Sequence, residues 1–528
     1  MHRRRFLQYA GYALCAAGAD QLLLRVSDAR AAEAFARLDA TAKLNLADMA
    51  LDLASRAGAG YADVRIGRSQ DEFIRARDRR LDENRLALLV GFGVRVLVDG
   101  SWGFAASELV SEDEVRRVVA LAVENAAASR LIQATPIVIE DIPAYHDDWR
   151  MPMQVDPFTI PAHDKAAKLL AINEAAVKAG ADYCTSLLGF VREEKLFASS
   201  RGSRITQMRV RSSPYFEATA VDKQSGRFAS RATLAAPRGS GWEYIDGYDF
   251  LGEAALAAEQ ARAKVKAKSV TPGKYDLVID PTNLWLTIHE SIGHSTELDR
   301  ALGWEANYAG TSFLTTDKLG KLRVGSPLVN IVGDRSQEGG LATIGYDDDG
   351  VRSIGAEFPI IKDGVFENYQ MALGQAALIG RQHSNGCAYG QRPTSFPIQR
   401  MPNVSLQPNP EATSLDDLFA GVENGIYIIG NGSWSIDQQR YNFQFTGQLF
   451  YEIKNGKRGE MLRDVAYQGR TPDFWNALDA LGDKSTYYLG GSIFCAKGQP
   501  SQFAPVSHGA VPARFRGINV LNTEREDI

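Results

Sequence analysis

The sequence predicts an α+β protein, with an N-terminal portion mixing helices and strands followed by a larger, β-rich C-terminal domain. Three observations carry this expectation. At 528 residues the chain exceeds what a single hydrophobic core serves, so two or more domains are expected. Helix-period apolar faces alternate with strand-like runs up to about residue 265, and strand-like runs dominate beyond it. Thr271-Pro272-Gly273 breaks the pattern between the two.

In order, residues 41–57 read as an amphipathic helix built on Leu44, Leu46, Met49, Leu51 and Leu53. Tyr61 to Gly67, Glu72 to Arg77 and Leu86 to Leu97 read as strands, and Asp99-Gly100 as a hairpin turn into Ser101 to Ala105. Ser111 and Glu114 form a capping-box pattern before a helix face of Val115, Val118, Val119 and Ala122. This makes one unit over about 40–133. A poorly periodic stretch from Pro136 to Pro161 crosses to a second unit, about 160–265. That unit holds helices at 163–178 and 250–266 around strands Ser186 to Ala198, Ile205 to Arg211, Tyr215 to Val221 and Phe228 to Ala235. Residues 40–265 are thus expected as the N-terminal domain and 271–528 as the C-terminal one, where Tyr441 to Phe445, Leu449 to Ile453 and the Asn455-Gly456 turn predict a meander or sandwich.

Hydrophobic content of 45% and charged content of 23% are those of a soluble globular protein. The net charge of −5 and the lack of a dense Lys/Arg run exclude nucleic acid as an expected partner. Beyond the N-terminus, no run approaches the ~18 apolar residues of a membrane helix, so no stable insertion is expected. Residues 1–31 read as a twin-arginine export signal: Arg3-Arg4-Arg5-Phe6-Leu7, a moderately apolar stretch from Tyr9 to Ala19, and Ala29-Arg30-Ala31 for cleavage. The expected compartment is the periplasm, and removal of the segment would take the net charge from −5 to −8. Of the four cysteines, Cys15 would leave with the signal. Cys184 and Cys387 are expected as buried free thiols, with a disulfide between them as the alternative.

The chemistry concentrates at His289-Glu290-Ser291-Ile292-Gly293-His294, in a chain with only seven histidines. Metal-binding H-E-x-x-H places its histidines at i and i+4, one face of a helix. Here they stand at i and i+5, about 140° apart on a regular helix. Shared ligation therefore predicts a π-bulge or a helix end near Gly293, whose lack of a side chain makes the distortion cheap. Lys274 to Asp280 reads as the buried strand leading in, with Thr282 or Asn283 capping a helix through Leu284, Leu286 and Ile288.

With these residues the chain resembles the TldD/PmbA family of metallopeptidases over most of its length. The resemblance lies in Gly91 to Gly103, His289 to Asp299, Arg392 to Asn403, Gly425-Ile426-Tyr427 and Cys495-Ala-Lys-Gly-Gln-Pro500. H-E-x-x-x-H marks the catalytic TldD-like branch, here as an exported variant. The resemblance implies that His289, His294 and Cys495 are zinc ligands, one Zn2+ per catalytic chain, with Glu290 as general base. It also implies a homodimer or a heterodimer with a related subunit, admitting unfolded or short peptides to an enclosed chamber. Two imidazoles and a thiolate leave a fourth tetrahedral position open, as catalytic zinc requires.

Around that site, Glu297 and Asp299 are candidates to orient a ligand imidazole, or else solvated helix-end acids. His508 is a candidate oxyanion donor, or else a structural histidine. Arg392 and Arg400 could clamp a substrate carboxylate or pair within the fold, and the His383/Cys387 pairing is unspecific. The expected function is a zinc metallopeptidase. The alternatives are a non-catalytic binding or assembly subunit with a structural metal, and a metal-dependent amidase on a non-peptide substrate. A thiolate ligand outside the cytoplasm would oxidise unless metal-bound, so metal is expected to be loaded before export.

Overall fold

The computed structural model describes residues 29–524. The expected export signal and Cys15 lie outside that range, save that Ala29–Ala31 open a helix, Ala29–Ala36, whose Ala31 and Phe35 are buried. Among the described residues no helix is long and apolar enough to cross a membrane.

Both N-terminal units contribute to one seven-stranded sheet. Its order is Ser101–Ser107, Arg80–Val98, Tyr61–Arg77, Tyr183–Ser199, Arg204–Val221 and His146–Arg150, with Phe228–Ala232 also on Arg204–Val221. Pairing is antiparallel except at His146–Arg150, a strand inside the stretch expected to be irregular. The strands run longer than expected. Tyr61 to Gly67 and Glu72 to Arg77 are halves of one seventeen-residue strand. The polar residues between them bond to one another, Ser69 Oγ donating to Asp71 at 2.7 Å, and so do not end it. Asp99-Gly100 turns with φ of 48° and 75°, the left-handed pair that a tight hairpin requires. Helices Ala40–Arg56 and Glu112–Arg130 close one core on this sheet. Ala162–Lys178 and Phe250–Lys266 close a second. The Ser111 capping box is only half made: its hydroxyl caps Glu114 N, while the Glu114 carboxylate pairs with Arg117.

The C-terminal portion is β-rich, but neither a meander nor a sandwich describes its main sheet. Asn424–Ile436, Gly273–Ile279, Ala513–Asn522, Val465–Arg470 and Asn442–Lys454 pair in succession, and the last pairs back to the first. The result is a closed five-strand ring. Tyr441 to Phe445 and Leu449 to Ile453, expected as separate strands, belong mostly to the single strand Asn442–Lys454. Asn455-Gly456 does form its hairpin turn, again with positive φ at both residues. Trp475, Phe474, Phe515, Phe443, Phe445 and Tyr467 fill the core.

The two portions meet through buried charge. The loop Tyr346–Gly350 presents Asp348 to Lys195, at 2.6 Å, and Asp349 to Arg95, at 2.7 Å. Asp347 accepts from the backbone N–H groups of Asp349, Val351 and Ala388. Burial, with Asp349 beside it, pushes Asp347 up to about 7. Cys184 and Cys387 are free and buried in different cores, so the alternative disulfide is not formed.

Candidate metal centre

The strand Gly273–Ile279 feeds directly into the helix Pro281–Ile288. Its N-cap is Asp280, not Thr282 or Asn283: the Asp280 carboxylate accepts from Thr282 N at 3.0 Å, and Pro281 takes the first helical position. Asn283 instead spans to the ring, donating to the Gly430 and Thr446 carbonyls at 2.9 Å each. All eight helix residues are buried, and the three polar ones are satisfied inside: Thr282 Oγ1 accepts from Gly430 N and Thr287 Oγ1 meets the Tyr467 hydroxyl, as Asn283 meets its two carbonyls.

At His289 the helix changes its winding. His289–Gly293 is a π turn, closed by His294 N–H donating to the His289 carbonyl five residues back. That bond puts the two histidines on one face, with ring centroids 4.6 Å apart. Hydroxyls support the irregular stretch: Ser291 Oγ bonds Thr287 O, Ser295 Oγ bonds Ser291 O, and Thr296 Oγ1 bonds Ile292 O. Gly293 has φ of −53°, so its conformational freedom is not what the position uses. A Cβ there would lie 2.8 Å from Met401 Sδ, so the tip of that methionine would have to shift to admit one.

Cys495 arrives from the far end of the chain. It sits on the hairpin Tyr488–Lys497/Gln502–Ala510, whose alternation turns Cys495 and Lys497 inward and Phe494 and Ala496 outward. Ligand atoms of His289, His294 and Cys495 all lie within 4.8 Å of one another. Cys495 Sγ is 3.7 Å from His294 Nε2, against about 3.6 Å for two such donors on one tetrahedral zinc.

The hydrogen bonds fix the tautomers. His508 Nδ1 lies 2.9 Å from the Val404 carbonyl, which only accepts, so the proton is on Nδ1. His508 Nε2 must then accept from His289 Nδ1–H, at 2.7 Å. His294 Nδ1 donates to Glu297 Oε2 at 2.9 Å. Both candidate ligands are thereby left with a bare Nε2, the atom a metal takes. Burial lowers the pKa of His289, and that of His294 and His508 well below the ordinary range, so all three rings are neutral near pH 7. Burial pushes the Cys495 thiol up to about 11 despite nearby Arg400. The donor set of two neutral imidazoles and one cysteine suits zinc.

Of its two readings His508 takes that of a structural histidine and not of an oxyanion donor: it is fully buried with both nitrogens engaged, and its place is behind His289. Glu297 and Asp299 are buried, not solvated. Glu297 meets His294, while Asp299 faces Lys497. Burial opposes charge on Glu297, but Lys497 and Arg300, with the hydrogen bond from His294, outweigh it and hold its carboxyl well below the usual range. Glu290, buried beside His289, has the Arg440 guanidinium 3.8 Å from Oε2. Arg400 donates to the Cys495 and Gln502 carbonyls, so it braces the cysteine hairpin. His383 is exposed and distinct from buried Cys387. Arg440 and Lys497 escaped sequence reasoning. The only signal for Lys497 was its inward register, two residues beyond Cys495, and for Arg440 there was none.

Three family descriptions match in order: PmbA/TldA metallopeptidase domain 1 over residues 62–126, the central domain over 155–265, and the C-terminal domain over 272–520. A metalloprotease of Methanocaldococcus jannaschii is 28% identical over 454 residues, covering 85% of this chain and 94% of that protein. A zinc metalloprotease TldD homolog of Saccharolobus solfataricus is 24% identical, covering 88% and 98%. TldE of Thermococcus kodakarensis shares the fold with a TM-score of 0.66 at 13% identity, covering 90% of this chain and all of that one. A Thermotoga maritima protein described as a modulator of DNA gyrase does so with a TM-score of 0.71 at 17% identity, over 91% and 100%. Together with the H-E-x-x-x-H turn, these matches make the chain a member of the PmbA/TldD metallopeptidase family.

Proposed function

We propose that the protein is a zinc-dependent peptidase hydrolysing unfolded or short peptides, with His289, His294 and Cys495 as ligands and Glu290 as general base. The observation that carries this reading is the pair of bare Nε2 atoms beside one cysteine, with a carboxylate adjacent: three protein donors leave room for a reactant, whereas a structural site fills all four positions. Bound zinc supplies Lewis acidity, lowering the pKa of water and polarising the peptide carbonyl.

The chain's own residues do the rest. His508 and Glu297 hold the two imidazoles in register. Glu290 takes a proton from the attacking water at a carboxylate oxygen and returns it to the leaving amine nitrogen. Arg440, its guanidinium 3.8 Å from Oε2, steadies the Glu290 carboxylate as a charge partner. The protein works as a dimer, with another copy or with a related subunit, in the periplasm after twin-arginine export.

The test compares the zinc-loaded mature protein with Glu290→Gln on an unfolded peptide mixture, reading products by mass spectrometry. Cleavage by the wild type alone supports the reading. Zinc-loaded wild type that leaves every peptide intact, with and without a related subunit, would count against it.

A further inference from the structure

Behind His294, on the side away from His289, five ionisable side chains are packed without water access. Glu297, Arg300 and Lys497 are fully buried, and Glu305 and Asp299 are 2% and 6% exposed. Lys497 Nζ lies 2.8 Å from Asp299 Oδ1, 3.1 Å from Glu305 Oε1 and 3.2 Å from Glu297 Oε1, and also meets Gln399 Oε1. Arg300 lies 3.1 Å from Glu297 and 3.2 Å from Glu305, and donates to the Ala309 carbonyl. Glu297 Oε1 and Glu305 Oε1 make no hydrogen bond of good geometry, so Lys497 faces them as a charge rather than as a shaped donor.

Two features of this cluster bear on metal binding. First, Lys497 belongs to the strand of Cys495, whereas its three carboxylates belong to the segment that carries His294. One ammonium thus ties the cysteine strand to the histidine segment. Second, the three carboxylates face one another in a buried space with Lys497 and Arg300 between them, and carboxylates so crowded repel when a cation between them is lost.

We propose, on the reading of His289, His294 and Cys495 as metal ligands, that Lys497 is a positioning residue that sets how firmly the site retains its dication. Removing its charge leaves three carboxylates against Arg300 alone and frees the cysteine strand from the histidine segment. The carboxylates then spread apart, and Glu297 carries the hydrogen-bonded His294 away from its place opposite Cys495.

The experiment measures zinc release from the full-length protein into excess chelator, and the cobalt–thiolate absorption of the cobalt-loaded form, for wild type, Lys497→Met and Lys497→Met/Glu305→Gln. Lys497→Met is expected to release zinc about 10–100-fold faster and to weaken the cobalt–thiolate band, a loss typical of outer-shell changes. The double variant removes one of the crowded carboxylates and is expected to recover part of that loss, which a merely space-filling lysine would not allow. Release from Lys497→Met at the wild-type rate overturns the proposal. So does a double variant as leaky as the single one, or a Lys497→Met protein that unfolds equally with and without zinc. Wild type that binds no zinc removes the metal reading and this proposal with it. Zinc-retaining wild type that cleaves no peptide sinks only the peptidase reading, and the release rates still decide on Lys497.

Discussion

His508 accepts a hydrogen bond from His289 across 2.7 Å because its own Nδ1 proton is committed to the Val404 carbonyl. The carbonyl thereby decides, two bonds away, which nitrogen of His289 is free. His508→Phe keeps a flat ring against Trp285 but removes the acceptor. Its zinc affinity should fall about 10–100-fold, measured by competition with a chelating dye, while the metal-free fold is retained.

Arg440 has φ of 62°, a left-handed conformation that costs a non-glycine residue about 1–2 kcal/mol. The turn that holds it is locked by Asp437, which accepts from the backbone of Gln439, Tyr441 and Asn442. Arg440→Gly relieves the backbone and deletes the guanidinium beside Glu290. The expected outcome is a melting temperature no lower than wild type together with peptide cleavage reduced tenfold or more. A large fall in melting temperature would make Arg440 structural.

A Cβ at Gly490 would lie 2.3 Å from Cγ of Trp285, the ring stacked on His508. No rotation of a flexible tip relieves that contact. Gly490→Ala should cost about 1–3 kcal/mol in denaturant unfolding, as overpacked cores do, and should loosen metal binding by shifting His508. An unchanged midpoint would contradict the packing seen here.

Asp347 carries a pH signature. Its folded pKa of about 7 lies above its ordinary value of 3.8, so the folded state binds the proton more tightly. Its contribution to stability is complete below about pH 4 and is lost as pH rises through 7. Asp347→Asn lacks this slope. Between pH 4 and 7 the difference in unfolding free energy should move steadily in favour of the variant, then level off above 7. A constant difference across that range would mean that Asp347 does not titrate there.

The six-residue histidine motif announced its own geometry, because histidines five apart can share a metal only if the helix widens, and the π turn does that. Gly293 was read as easing the distortion through its conformational freedom, which its helical φ does not use, and its contact with Met401, 108 positions away, was not legible. The same distance problem hid the role of His508, whose partners Val404 and His289 lie 104 and 219 positions off. Helices with clear apolar faces, such as Ala162–Lys178 and Phe250–Lys266, were legible almost to the residue. Strand continuity was not. Ser69 and Asp71 look like a break until their bond to each other inside the sheet is visible. The closed ring was hidden too, because its closure depends on Gly273–Ile279 lying parallel to Asn424–Ile436, a pairing that no local pattern encodes.

His294 and Cys495 are 201 positions apart. Synthesis runs from the N-terminus, so both histidines leave the ribosome long before the residue that completes their set. Until then the two imidazoles stand without their cysteine. A chain that stops short of Cys495 therefore lacks the three-donor set, however completely its N-terminal sheet has formed.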